Sequence, residues 1–139
     1  MWDATEPETY LPFRDGGLGG ELHPFEILYL VSINDAQVTT LSADRASRTS
    51  GIPVLANSTY HPHDLDVTQA PISGSAIVYF DGNFPEVPLG NIQGPMAYHS
   101  LAHNQVLGFA PAIDLATDYL LSGTITDTCS GQCYFNGTW

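Results

Sequence analysis

Apolar residues are densest in Phe25–Ile33, F-E-I-L-Y-L-V-S-I. Phe25, Ile27, Tyr29, Val31 and Ile33 occupy one set of alternate positions, and Glu26, Leu28, Leu30 and Ser32 the other. Both faces are apolar in the middle of the segment, which predicts a strand buried on two sides and set in the interior of a sheet. Its β-branched and aromatic side chains fit a pleated surface and lose χ1 freedom in a helix, so strand is favoured over helix. His23-Pro24 opens the segment and Asn34-Asp35 closes it, both with turn chemistry.

Ser75–Phe80, S-A-I-V-Y-F, predicts a second strand, closed by Asp81-Gly82-Asn83. Weaker strand patterns cover Ala36–Ala43, Ile52–Ala56, Leu65–Ile72 and Leu120–Thr128. Asn34-Asp35 reads as a hairpin turn, Pro53 as an edge or bulge marker and Gly123 as a bulge. Residues 44–50, D-R-A-S-R-T-S, read as a polar loop, and so does 57–66. The prolines and glycines between 84 and 96 mark another loop. Met96–Phe109 fits a short helix and an alternating strand equally, whereas Ala112–Leu121 has helical spacing after Pro111. Several short strands separated by turn signals predict a mainly β fold. The expectation is an antiparallel β-sandwich or barrel, jelly-roll-like, with at most one or two short helices. Residues 1–20 differ. Pro7, Pro12 and the run Gly16-Gly17-Leu18-Gly19-Gly20 predict an extended, flexible arm that docks through Trp2, Tyr10 and Phe13. A single β-rich domain over 21–139 follows it.

Charge sharpens this picture. Fifteen acidic residues face three basic ones, Arg14, Arg45 and Arg48, with no lysine, for a net charge of −12. Charged residues make up only 13% of the chain, about half of the usual ~25%. Such a chain cannot neutralise a phosphate backbone and is repelled by an anionic membrane surface, which argues against nucleic acid and lipid partners. No run reaches the ~18 apolar residues of a membrane span, and residues 1–20 carry neither a basic start nor an apolar signal core. A virion or extracellular location is the expectation. A length of 139 residues allows one domain that buries roughly 68% of its unfolded surface.

Candidate chemistry rests on few residues. His61-Pro62-His63 and His99-Ser100-Leu101-Ala102-His103 place two imidazoles at spacings that share a face, on a strand and on a helix respectively. All four suit a divalent metal ion, although surface or half-buried histidines account for them equally well. Cys129 and Cys133 sit close enough for a local disulfide that pins a C-terminal turn; free thiols and metal ligation are the alternatives. Asn57 and Asn136 begin glycosylation sequons. Gly82–Gly90 fits the spacing G-x5-P-x-G, which resembles the second motif of the cupins and implies a metal-binding barrel. Gln93 stands at the position where that family places a histidine, and no glutamate follows His61-x-His63 at the family's distance.

Three functions follow as expectations. The first is a non-enzymatic subunit of a larger assembly, a virion capsid or decoration protein or an extracellular filament, whose partners are copies of itself or other subunits and which needs no cofactor. The low charge and the aromatic ends, Trp2 to Phe13 and Tyr134 to Trp139, motivate it. The second is a cupin-like enzyme using a His-ligated metal. The third is an extracellular sugar-binding module with Trp2, Tyr60, Tyr98 or Trp139 stacking on sugar faces.

Overall fold

The computed structural model describes residues 7–16, 23–87 and 96–136, and for Pro7 and residues 96–100 the backbone course alone. The element order is α1 (Pro7–Tyr10), a 3-10 turn (Leu11–Phe13), β1 (Leu28–Ser32), α2 (Thr40–Ser50), β2 (Val54–Leu55), β3 (Val67–Thr68), β4 (Ile72–Ser73) and β5 (Ala76–Phe80). Then come α3 (Met96–Gln105), a 3-10 turn (Val106–Gly108), α4 (Ala110–Ser122) and β6 (Thr124–Ile125). β1, β5, β2 and β3 form a sheet in that order, every pairing parallel. β4 and β6 make a separate antiparallel pair.

This is an α/β architecture, which overturns the expected mainly β antiparallel sandwich or barrel and with it the cupin-like reading. Parallel neighbours require crossover connections; the β1–β2 crossover carries α2, and the segment that follows β5 supplies the helices of the other face. α2 packs on one face, where Val31, Ala43, Ile52, Val54, Ile77 and Tyr79 form a core. The α3–α4 segment packs on the other, where Val106, Ala112 and Leu115 meet Ala76, Val78 and Phe80. The two-faced apolarity of β1 therefore reports helices above and below it. It says nothing about lateral position, and β1 lies at the sheet edge; the central strand is β5, buried at every residue.

The helices that sequence patterning passed over have physical reasons. α2 turns a polar face inward: Ala43, Asp44, Ser47 and Ser50 are its buried residues. The hydroxyls of Ser47 and Ser50 donate to the carbonyls of Ala43 and Ala46, 2.8 Å each, so small polar groups can be buried there without loss. Thr39 caps its start, accepting from Ser42 N, and Gly51 ends it at φ 64°. Gly123, read as a bulge, is the left-handed C-cap of α4 at φ 67°. The expected extended arm is, over residues 7–13, two helical turns. Pro7 and Pro12 sit in opening turns, where a missing N–H costs nothing. Leu11 is the buried anchor of this segment, while Tyr10 and Phe13 are exposed and Trp2 lies outside the described residues. Arg14 then ties the arm down, donating to Ser50 O at 2.9 Å and to the Ser75 hydroxyl at 3.1 Å. Among the described residues no helix is long and apolar enough to cross a membrane.

The bond between α2 and β5 is polar. Tyr79 OH donates to Asp44 Oδ1 at 2.6 Å and Tyr60 OH to Oδ2 at 3.2 Å. Burial first, then the hydrogen bond to Asp44, pushes the Tyr79 phenol well above its ordinary value of 10.0. A folded-state value above the unfolded one contributes stability that is complete below pH 10 and is lost as pH rises beyond it. Replacing Tyr79 with Phe leaves a buried carboxylate short of a donor. Urea unfolding at pH 7 should show a loss of about 1.5–3 kcal/mol. The gap from wild type should narrow at pH 11, only partly, because that pH lies about one unit above the unfolded value and each unit removes about 1.4 kcal/mol. An equally stable variant would show that this bond does not hold α2 to the sheet.

Candidate functional site

The carboxyl end of β1 is shaped by three consecutive residues. Ile33 N still bonds Phe80 O at 2.8 Å, so the chain leaves the sheet only after it. Asn34 takes φ 63°, a left-handed conformation that Asn tolerates better than most residues, and its side chain donates to Phe84 O at 2.9 Å. Asp35 then turns its carboxylate back on the chain. Oδ1 accepts from the amides of Gln37 and Val38 at 2.7 and 3.1 Å. The Asn-Asp pair, read as a hairpin turn, thus redirects the chain into the crossover helix α2.

The other oxygen of Asp35 meets His103 Nδ1 at 2.8 Å. His103 lies on α3, whose last turn is pinned by Ala102 and Val106, both buried. A carboxylate only accepts, so Nδ1 carries the proton and Nε2 keeps the lone pair. Nε2 has no partner among the described residues. The Asp35 side chain is 7% exposed and that of His103 35%, so the pair has one end sealed in the protein and one open.

Both residues line a half-open groove of about 360 Å³. Its walls are Tyr29, Leu30, Val31 and Ser32 of β1, Ser42, Ala43 and Ala46 of α2, and Val106 and Leu107 of the 3-10 turn, with Glu8 and Val38 at the margin. The surroundings are mostly apolar. Ser32, 4% exposed, contributes a buried hydroxyl with no hydrogen-bond partner among the described residues. An unpaired buried hydroxyl costs on the order of 1–3 kcal/mol, which makes it a group with an uncommitted bond facing this region. Burial, and secondarily the charge of Glu8, raises the Tyr29 phenol, so Tyr29 stays neutral in the groove at physiological pH.

The described side chains of His61, His63 and His103 form no common metal-holding group. His61 sits in the β2–β3 loop with Nε2 3.2 Å from Ala56 O, and exposed His63 pairs with exposed Asp64 at 2.9 Å. The backbone of His99 belongs to α3, and its side chain lies outside the description. Among the described residues no group of three His, Cys, Asp or Glu side chains could hold a metal ion. Cys129 and Cys133 are joined as a disulfide, and Cys133 is buried in the core beside β5. The Asn57 amide donates to Asp127, whereas Asn136 is exposed. Tyr60 gives its hydroxyl to Asp44; Trp2, Trp139 and the Tyr98 side chain lie outside the described residues.

The sequence groups His103 with His61, His63 and His99 as metal-ligand candidates and gives Asp35 a turn role; the structure sets His103 beside Asp35. The available signal was the position of Asp35, just past the carboxyl end of a two-faced strand, where α/β sheets gather their functional side chains. Ser32 carried no signal beyond polarity. Compared with protein-family models, with curated proteins and with solved structures, the chain matches none.

The pair has a spectroscopic consequence. In Asp35→Asn, Oδ1 still accepts from Gln37 and Val38, but an NH2 replaces the oxygen that faced Nδ1. The imidazole proton should move to Nε2. Long-range ¹⁵N–¹H NMR of the ring should report the Nδ1–H tautomer in wild type and the Nε2–H tautomer in the variant. An unchanged tautomer would show that Asp35 does not set it.

Proposed function

We propose that the groove is a hydrolytic site in which His103, oriented by Asp35, is the general base toward an ester or amide with an apolar body. The observation that supports this reading is the His–carboxylate pair, sealed at Asp35 and open at His103 Nε2, set in an apolar-walled groove at the carboxyl edge of a parallel sheet. A water bound at Nε2 gives its proton to the imidazole as its oxygen bonds the substrate carbonyl carbon. Asp35 stabilises the resulting imidazolium. The proton then passes to the leaving oxygen or nitrogen as its bond to carbon breaks, which releases a carboxylic acid and an alcohol or amine and restores His103.

The test is the initial rate on p-nitrophenyl acetate and butyrate, with folding monitored by circular dichroism. His103→Ala and Asp35→Asn should each lower kcat/KM by about 10²–10⁴-fold, the usual worth of a positioned base. A wild-type rate equal to the background of buffer, or variants as fast as wild type, would overturn the proposal.

A second reading, a subunit of an assembly of copies of this chain, is favoured by one different observation. α4 buries Ala112 and Leu115 yet also exposes Ile113, Leu120 and Leu121, the last two at 82% and 84%, close in sequence to exposed Leu107. A helix with apolar residues on its outer face suits a protein contact. Light scattering should show wild type growing in mass with concentration and a Leu120→Asp, Leu121→Asp variant staying monomeric. A wild type that is monomeric at every concentration would exclude this reading.

A further inference from the structure

We infer that the groove takes its ligand as an extended peptide, neutral or basic, that adds as a strand to the open edge of β1. The inference rests on the groove being the ligand site, and it names the substrate class.

The groove is an edge cavity. A pocket on one face of a sheet meets alternate residues of a strand, because successive side chains point to opposite faces. This one meets four in succession, Tyr29 to Ser32, and has α2 from one helical layer and the Val106–Gly108 turn from the other. It therefore opens between the layers, against the side of β1 that no described strand pairs. The ladder fixes which backbone groups are there. Ile27 O accepts from Ala76 N at 3.1 Å and Ile33 N donates to Phe80 O at 2.8 Å, so the odd-numbered residues bond β5. Alternation turns the N–H and C=O groups of Leu28, Leu30 and Ser32 outward.

Nothing on β1 blunts this edge. Open edges are normally guarded by lysine, proline, a bulge or an inward charge, and β1 reads L-Y-L-V-S in regular register with β5. A guest strand would find backbone partners along it and apolar walls for its side chains, the recognition mode of strand addition. Charge selects among guests. Among the described residues lining the groove, Glu8 and Asp35 are the acidic ones; Glu8 lies 3.9 Å from Arg45 of α2, whereas Asp35 takes amide and imidazole donors and no arginine. Asp35 opposes an acidic peptide, a phosphate or a free carboxylate there and favours a neutral or basic guest.

The test uses the full chain and four capped hexapeptides: valine alternating with lysine, valine alternating with glutamate, and the lysine peptide N-methylated on alternate amides in each of the two phases. The lysine peptide should bind and slow hydrogen exchange at the amides of Leu28, Leu30 and Ser32, leaving Tyr29 and Val31, already paired to β5, unchanged. The glutamate peptide should bind at least about tenfold more weakly, and so should one of the two N-methylated phases, having lost the donors that face β1. All modifications are in the peptide, so the fold is not perturbed. Ester hydrolysis that depends on His103, with no peptide binding or no new protection at these three amides, overturns this inference and leaves the hydrolytic proposal standing. Peptide binding with that protection pattern, by a chain with no hydrolytic activity, does the reverse.

Discussion

The rest of the structure follows from the parallel pairing of β5. Its five residues are buried completely, with β1 on one side, β2 on the other and a helical layer on each face. A strand in that position has no water to satisfy its backbone, so both ladders must be complete. Parallel ladders cannot be joined by tight turns, so β1 reaches β2 through a crossover that holds α2. α2 covers one face, the α3–α4 segment that follows β5 covers the other, and together they fix where the chain must bend. One bend, at Asn34-Asp35, places a carboxylate at the carboxyl end of β1. Another, the end of α3, brings His103 to it. The pair is thus a product of how the two layers close over the same edge, with one member from each side of the sheet.

How much of this was legible depends on the residues. The two main strands could be read from apolar density, and α4 from the spacing of Ile113, Leu115, Ala116, Tyr119 and Leu120. Their arrangement could not. An apolar face tells that something covers it, and either a second sheet or a helix satisfies that condition. The choice was recorded in α2, and there the usual signal is inverted, since the helix buries serine and aspartate against Ile77 and Tyr79. Serine hydroxyls that bond back to their own helix, and a carboxylate that takes two phenols, make a polar face compatible with burial. Periodicity of apolar residues does not detect such a face. The site suffered likewise: Asp35 and His103 are 68 positions apart and no spacing rule joins them.

The shortage of cations has consequences inside the molecule. With three arginines and no lysine, buried carboxylates must find donors elsewhere. Asp44 takes hydroxyls from Tyr60 and Tyr79, and Asp35 takes two amides and an imidazole. The arginines are occupied by carbonyls and by exposed pairs: Arg14 with Ser50, Arg48 with His63, Arg45 with Glu8 at 3.9 Å. Neutral donors hold a carboxylate without cancelling its charge. Asp35 therefore keeps in the groove a negative character that an arginine partner would have erased, whereas Glu8 shares its charge with Arg45. The same scarcity leaves the described lining of the groove without an arginine.

An unguarded sheet edge is a hazard in a chain with a purely structural task, because it invites pairing with any exposed strand. Here the hazard is confined by geometry. β1 is buried at Val31 and Ser32 and half-buried at Leu28 to Leu30. α2 lines the groove from one layer and the 3-10 turn from the other. An edge flanked by two helical layers is harder for a second sheet to reach than a flat, exposed one. The groups with chemistry to offer, the Ser32 hydroxyl and the His103 imidazole, line the groove beside that same edge.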